Sequence, residues 1–273
     1  MQYQQLTLSR TGPNDAVAVV TFARPDKMNA LTKVMEAELR AAFEALDRDD
    51  GVKVIVLTGQ GRAFCAGMDI DELEVLPPGD IRVAGWMRPY DMNRRADYQT
   101  RYSYMPAVGK PVISAINGAA AGLGLVFALY SDMRFASDSA VFSTAFAKRG
   151  LIAEHGIAWM LPRVVGPGRA ADLLYSARKV GAAEALAMGL VDRLYAAEEL
   201  MPEALRYAAD LAQNVSPRSV RVMKEQLWAA PFQSLSEAVS LANREMFDSI
   251  RSEDFKEGVA HFIERRPAQF SGR

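Results

Sequence analysis

Three stretches of the sequence hold residues whose types and spacing can do chemistry. In residues 148–166 (KRGLIAEHGIAWMLPRVVG), Glu154 and His155 stand at a Gly-flanked turn ahead of an apolar helical run. Burial raises a carboxyl pKa and readies the group for proton transfer near neutrality. The neighbours Ile152, Ala153, Ile157 and Trp159 predict such a dry setting for Glu154. The plainer alternative is a helix cap at Glu154 and a structurally satisfied His155. In residues 61–70 (GRAFCAGMDI), small side chains after a strand-like run leave backbone amides open to close approach by a ligand. An ordinary β-to-α turn with Asp69 as helix N-cap fits the same letters. In residues 117–124 (NGAAAGLG), small residues open a helix, presenting unpaired N–H groups and the positive end of its dipole. That arrangement suits a developing oxyanion or a phosphate, with a close helix–helix contact as the alternative. No Lys follows, as a Gly-Lys-Ser/Thr phosphate loop requires, and Gly118, Gly122 and Gly124 do not match G-x-G-x-x-G.

Positioning these stretches falls to an alternation of strand-like and helix-like blocks. Residues 16–22 (AVAVVTF), 53–58 (KVIVLT), 112–116 (VISAI), 133–136 and 141–143 read as strands. Residues 31–48 carry apolar side chains at helical spacing with Thr32 as N-cap, and 122–129 reads as a tightly packed helix. This order predicts an α/β core with parallel pairing. From about residue 200 strand-like runs disappear; 202–214, 217–228, 234–249 and 252–265 read as helices punctuated by Pro217 and Pro231. The expected division is a core over 1–200 and a helical C-terminal region over 201–273. Residues 74–111, with Pro77, Pro78, Trp86, Pro89, Tyr90, Tyr98, Tyr102 and Tyr104, read as a partly helical cap that lines the substrate's pocket. Asp132 reads as a turn acid bonding backbone amides, and Cys65, with no base in view, as packing.

Composition excludes several classes. The 273 residues carry 32 Lys plus Arg against 33 Asp plus Glu, so the domain-wide basic excess of a nucleic-acid binder is missing. One cysteine rules out a disulfide framework within the chain, and two widely separated histidines argue against a zinc site. No metal is expected. The N-terminal residues lack a secretory build and the longest apolar stretch, 118–130, is too short to span a bilayer. A cytoplasmic protein with no membrane partner is the expectation.

The ordered motifs resemble the enoyl-CoA hydratase/isomerase (crotonase) superfamily over nearly the whole chain. They run from ARPDKMNALT (23–32) through GRAFCAGMDI, KPVISAINGAAAGLGLVFALYSDMRFAS (110–137) and GLIAEHGIAWMLPRVVG (150–166) to EDFKEGVAHFIERRP (253–267). The resemblance implies a spiral of ββα turns with a helical C-terminal trimerisation region, assembled as a homotrimer or hexamer. It implies an acyl-CoA substrate, no permanently bound cofactor, and a thioester enolate held by the backbone N–H groups of Met68 and Leu123. The coenzyme would be hooked by backbone around Met28, Ala66, Asp69 and Ile70, and by Phe262 and Arg265 from a neighbouring subunit. Two glutamates that activate water in hydratases of the family are replaced by Val126 and Phe146, which move no proton. Two-glutamate hydration is therefore disfavoured. Glu154 falls where some isomerases and dehalogenases of the family keep a catalytic aspartate, which makes it the expected single general acid/base, with His155 in support. The alternatives are a non-catalytic acyl-CoA- or RNA-binding member and a hydrolase of CoA thioesters or C–C bonds.

Overall fold

β-Branched runs and helical apolar spacing set the elements of this computed structural model, which describes residues 3–74 and 95–273. In chain order the strands are β1 (Leu6–Thr11), β2 (Val17–Phe22), β3 (Val54–Gly59), β4 (Ala63–Cys65), β5 (Val112–Ile116), β6 (Ala119–Ala121), β7 (Met133–Ser137), β8 (Val141–Ser143), β9 (Val180–Gly181) and β10 (Arg193–Tyr195). The helices are α1 (Lys33–Arg48), α2 (Ile70–Glu74), α3 (Leu123–Tyr130), α4 (Ile157–Val165), α5 (Pro167–Ser176), α6 (Ala182–Ala187), α7 (Leu200–Asn214), α8 (Pro217–Ala229), α9 (Leu235–Arg251) and α10 (Glu253–Glu264). Of the cap segment read from sequence, the stretch holding Pro77, Pro78, Trp86, Pro89 and Tyr90 lies outside the described residues.

Two sheets follow from the pairing. The larger runs β1-β2-β3-β5-β7-β10 and the smaller β4-β6-β8-β9. The chain lays one strand in the larger sheet, the next in the smaller, and repeats: β3 then β4, β5 then β6, β7 then β8. Each repeat steps one place along both sheets, which is the ββα spiral of a mixed α/β fold. Pairing is parallel through β2, β3, β5, β7 and β10, and also through β4, β6 and β8. Two pairs depart from the expected parallel pattern: β1 with β2 and β8 with β9 run antiparallel. The former is possible because β1 returns after a short connection rather than a crossover. The strands β1, β4, β6, β9 and β10 are absent from the sequence reading; β4 and β6 fall in stretches taken as turns.

Packing explains the rest. Thr32 Oγ1 accepts from the Met35 amide at 3.1 Å and caps α1, which buries Met35, Leu39, Ala42, Phe43 and Leu46 against the larger sheet. Replacing such a cap typically costs about 1 kcal/mol. The opposite face of that sheet (Val17, Val19, Val54, Val56, Ile113, Phe135) is covered by Leu200, Ala204, Ala208 and Ala212 of α7. The first helix past residue 200 thus packs with the strands. Asp132 ties α8 to the core: its carboxylate accepts from the Val112 amide at 2.7 Å, Lys224 Nζ at 2.7 Å and Trp228 Nε1 at 2.9 Å. Helix α9 buries none of its residues. Among the described residues, no helix is long and apolar enough to cross a membrane.

Candidate active site

A cleft of about 60 Å³ is lined by Ala66, Gly67, Met68, Gly122, Leu123, Ala145, Phe146, Arg149, Leu151, Glu154 and His155. It joins the three stretches that sequence alone singles out. Parallel pairing of β4 with β6 lays the ends of these strands side by side, so residues following each converge. Gly124 permits the approach of α3: a Cβ there would lie 2.0 Å from the Cys65 carbonyl oxygen. Gly67, at φ +103°, does the same for the turn, since a Cβ on it would lie 2.9 Å from the Ala121 carbonyl oxygen.

The backbone leaves the Met68 and Leu123 amides open. On one side, Leu31 and Met68 form a bridge in which the Leu31 amide donates to Gly67 O at 2.7 Å and the Asp69 amide donates to Leu31 O at 2.9 Å. Met68, between these, points its N–H elsewhere. On the other side, Leu123 is the first residue of α3, whose first amides have no intrahelical acceptor. Among the described residues neither the Met68 nor the Leu123 amide donates to a protein acceptor. The fully buried α3 adds the positive end of its dipole.

Glu154 and His155 face this pair of amides. The Glu154 carboxyl is raised above its ordinary range by burial, with the Arg101 cation opposing. His155 Nε2 lies 3.5 Å from Glu154 Oε2. Burial, aided by Arg101, pushes the His155 imidazole down to about 4, so it is neutral at neutral pH and the contact is not an ion pair. His155 adopts a left-handed φ of 54° and its ring meets the edge of Tyr102 at 4.9 Å. Its carbonyl accepts from Tyr130 Oη at 2.8 Å, which pins the turn. Arg101 is paired with Glu36 through two nitrogens, and Tyr102 Oη donates to the same carboxylate at 3.3 Å. Sequence reasoning missed this Arg101–Glu36–Tyr102 group, because nothing local links Glu36 on α1 to the cap segment. Phe146 lines the cleft, whereas Val126 is buried and is not among its lining residues.

The remaining expected residues lie elsewhere. Met28, in a left-handed turn at φ 51°, accepts from the Ala66 amide at 3.1 Å through its carbonyl. The Asp69 carboxylate pairs with Arg24 at 2.8 Å and accepts from the Asp71 amide at 3.1 Å, capping α2. Burial works against its ionisation, yet the Arg24 and Asp71 bonds hold it below the usual carboxylate range. Ile70 is exposed beside it. Phe262 and Arg265 are exposed on and just after α10, and neither lines the cleft. Cys65 is fully buried and its thiol is pushed up to about 12, which suits packing and not a nucleophile.

Comparison with known proteins fits this geometry. The model of the enoyl-CoA hydratase/isomerase family matches residues 12–273. The chain is 33% identical to 1,2-epoxyphenylacetyl-CoA isomerase of Escherichia coli (strain K12) over 257 residues, covering 94% of this chain and 95% of that protein. It is 37% identical to a protein named probable enoyl-CoA hydratase in Rhodobacter capsulatus over 260 residues, 95% and 96% of the two chains. The crystal structure of enoyl-CoA hydratase from Bacillus anthracis superposes with a TM-score of 0.90 at 28% identity, covering 99% of this chain and 100% of that one.

Proposed function

The chain belongs to the enoyl-CoA hydratase/isomerase family, and from that premise we propose that it moves a double bond along an enoyl-CoA thioester with Glu154 as single general acid/base. The thioester oxygen accepts from the Met68 and Leu123 amides. The Glu154 carboxylate takes a proton from carbon 2 of a 3-enoyl group, the charge passes to the held oxygen, and the new carboxylic acid returns the proton at carbon 4. The double bond arrives in conjugation with the carbonyl. Burial of Glu154 makes it a stronger base than an exposed carboxylate, and neutral His155 supports it without competing for the proton. Met28, Ala66, Asp69 and Ile70 hold the coenzyme end through backbone, and Phe262 and Arg265 reach it from a second subunit of a trimer or hexamer.

One observation carries this reading: Glu154 is the only carboxylate among the described lining residues, and it shares the cleft with two unpaired amides. Hydration by an acid pair lacks its groups, because Val126 and Phe146 hold no water. A non-catalytic binding role leaves the half-buried acid beside the open amides without a purpose. The test is absorbance of the conjugated thioester formed from a 3-enoyl-CoA. Turnover should fall by about 10²–10⁴-fold in Glu154→Gln while coenzyme affinity stays within a small factor. Near-normal turnover in the folded variant overturns the assignment.

A further inference from the structure

Glu36 stands in the first turn of α1 and does not line the cleft, yet a line of contacts joins its carboxylate to Glu154. Its two oxygens accept from Arg101 Nε and Nη2, and Oε2 also accepts from Tyr102 Oη at 3.3 Å. The Arg101 guanidinium in turn lies 5.0 Å from the centre of the Tyr102 ring. Tyr102 is buried between two parts of the site. Its ring meets Phe127 of α3, the helix that opens with the Leu123 amide, at 5.5 Å and 85°. It meets the His155 ring at 4.9 Å and 86°. His155 Nε2 then lies 3.5 Å from Glu154 Oε2.

An acid in the first turn of a helix favours the dipole whatever else it touches. Here, however, the carboxylate is bonded to side chains of a segment 65 residues away. The Arg101 and Glu36 side chains keep only 16% and 21% of their exposure, so water and salt screen the pair weakly. Burial raises the Glu154 carboxyl, and Arg101 is the cation that opposes it. A guanidinium that holds its own carboxylate presents Glu154 with a weakened field, and loss of that carboxylate strengthens the field. The same loss loosens Tyr102, and with it the surface on which the His155 ring rests. The other titratable groups nearby are neutral His155 and Arg149 on the side of Glu154, and Arg40, Glu44 and Tyr104 on the side of Glu36. Arg40 is itself paired with Glu44 at 3.0 Å.

Resting on the reading of Glu154 as general acid/base, we infer that Glu36 is a positioning residue of the reaction. Through Arg101 and Tyr102 it holds the Glu154–His155 turn in place and tempers the cation that bears on the acid. The experiment is the pH dependence of kcat and KM for the full chain with a 3-enoyl-CoA, alongside melting curves. Glu36→Gln should lower kcat by about tenfold and leave KM within about twofold, because the turn shifts while the coenzyme end is untouched. Its acid limb should move to lower pH, since a less compensated Arg101 favours the ionised form of Glu154. Arg101→Gln should move the limb to higher pH. Glu36→Asp keeps the charge and should restore the wild-type limb and most of the rate. Glu44→Gln breaks the neighbouring ion pair on the same helix and should leave rate and limb unchanged. Should Glu36→Gln melt early, the double variant Glu36→Gln/Arg101→Gln replaces the pair by neutral amides and should place the limb on the Arg101→Gln side. A wild-type rate and limb in folded Glu36→Gln overturn the inference, as does a uniform loss of rate with the limb unmoved, which is what a merely structural role gives. Either result leaves the general acid/base reading standing if Glu154→Gln is inactive. Near-normal turnover in Glu154→Gln overturns both.

Discussion

Gly67→Ala is the sharpest single perturbation of the candidate oxyanion site, because it touches no side chain of the cleft. The added Cβ would lie 2.9 Å from the Ala121 carbonyl oxygen and 3.7 Å from the Leu123 nitrogen. It therefore wedges apart the two segments that carry the open amides, forcing a shift of a few tenths of an ångström. Losing one oxyanion donor outright costs about 10²–10³ in kcat, and a misplacement of about 1 Å costs on the order of 10²-fold. A partial displacement should lower kcat by about 10–10²-fold. The φ of +103° adds strain of roughly 1–3 kcal/mol, well within a typical stability of about 5–15 kcal/mol, so the variant should fold and melt earlier. Gly168→Ala is the control, since nothing lies within 4 Å of a Cβ there. The assay is turnover of a 3-enoyl-CoA followed by conjugated-thioester absorbance, alongside melting. A folded Gly67→Ala protein that turns over like Gly168→Ala refutes the placement of the oxyanion between Met68 and Leu123.

Two further outcomes are expected. The His155 imidazole is held down at about 4 in the fold against an ordinary 6.5, so the unfolded chain binds the extra proton between these values. Its contribution is then complete above pH 6.5 and is lost as pH falls toward 4, by up to about 3 kcal/mol. Urea unfolding of the wild type and His155→Gln across that window checks this, and identical pH dependence in both would contradict it. On the C-terminal helices, Phe247, Ile250, Phe255, Phe262 and Ile263 are each 47–80% exposed, more apolar surface than a monomer normally leaves to water. Sedimentation at micromolar concentration should show a trimer or hexamer, and a stable monomer would contradict that assembly.

Much of the fold is legible in the letters wherever a local signal is strong. The β-branched runs of β2, β3 and β5, the Thr32 cap of α1 and the Gly-flanked start of α4 all announce themselves over a few residues. The strands that went unread have weak local signals for identifiable reasons. In β1, five of six side chains face outward or sit half-buried, so LTLSRT has little apolar run to read. The strands β4 and β6 are three residues each, β6 wholly of alanine, a poor strand former, and they exist because a neighbour supplies the ladder. The Arg101–Glu36 pair joins α1 to the cap segment, a contact between distant positions.

The site divides along the same line. Sequence determined which acid is present and which are missing: Glu154 stands at a glycine-flanked turn, while Val126 and Phe146 bring no proton to the cleft. It also placed small residues where backbone approaches closely, visible as Gly67 and Gly124. What the tertiary structure decided is which amides stay unpaired. Every residue but proline carries an N–H, so no letter marks one that is free; only the pairing of all its neighbours does. At Met68 the bridge to Leu31 uses the flanking groups, and at Leu123 the first turn of α3 has no acceptor behind it. The parallel pairing of β4 and β6 then brings these two amides to one cleft with Glu154, a juxtaposition set by hydrogen-bond geometry between segments far apart in the chain.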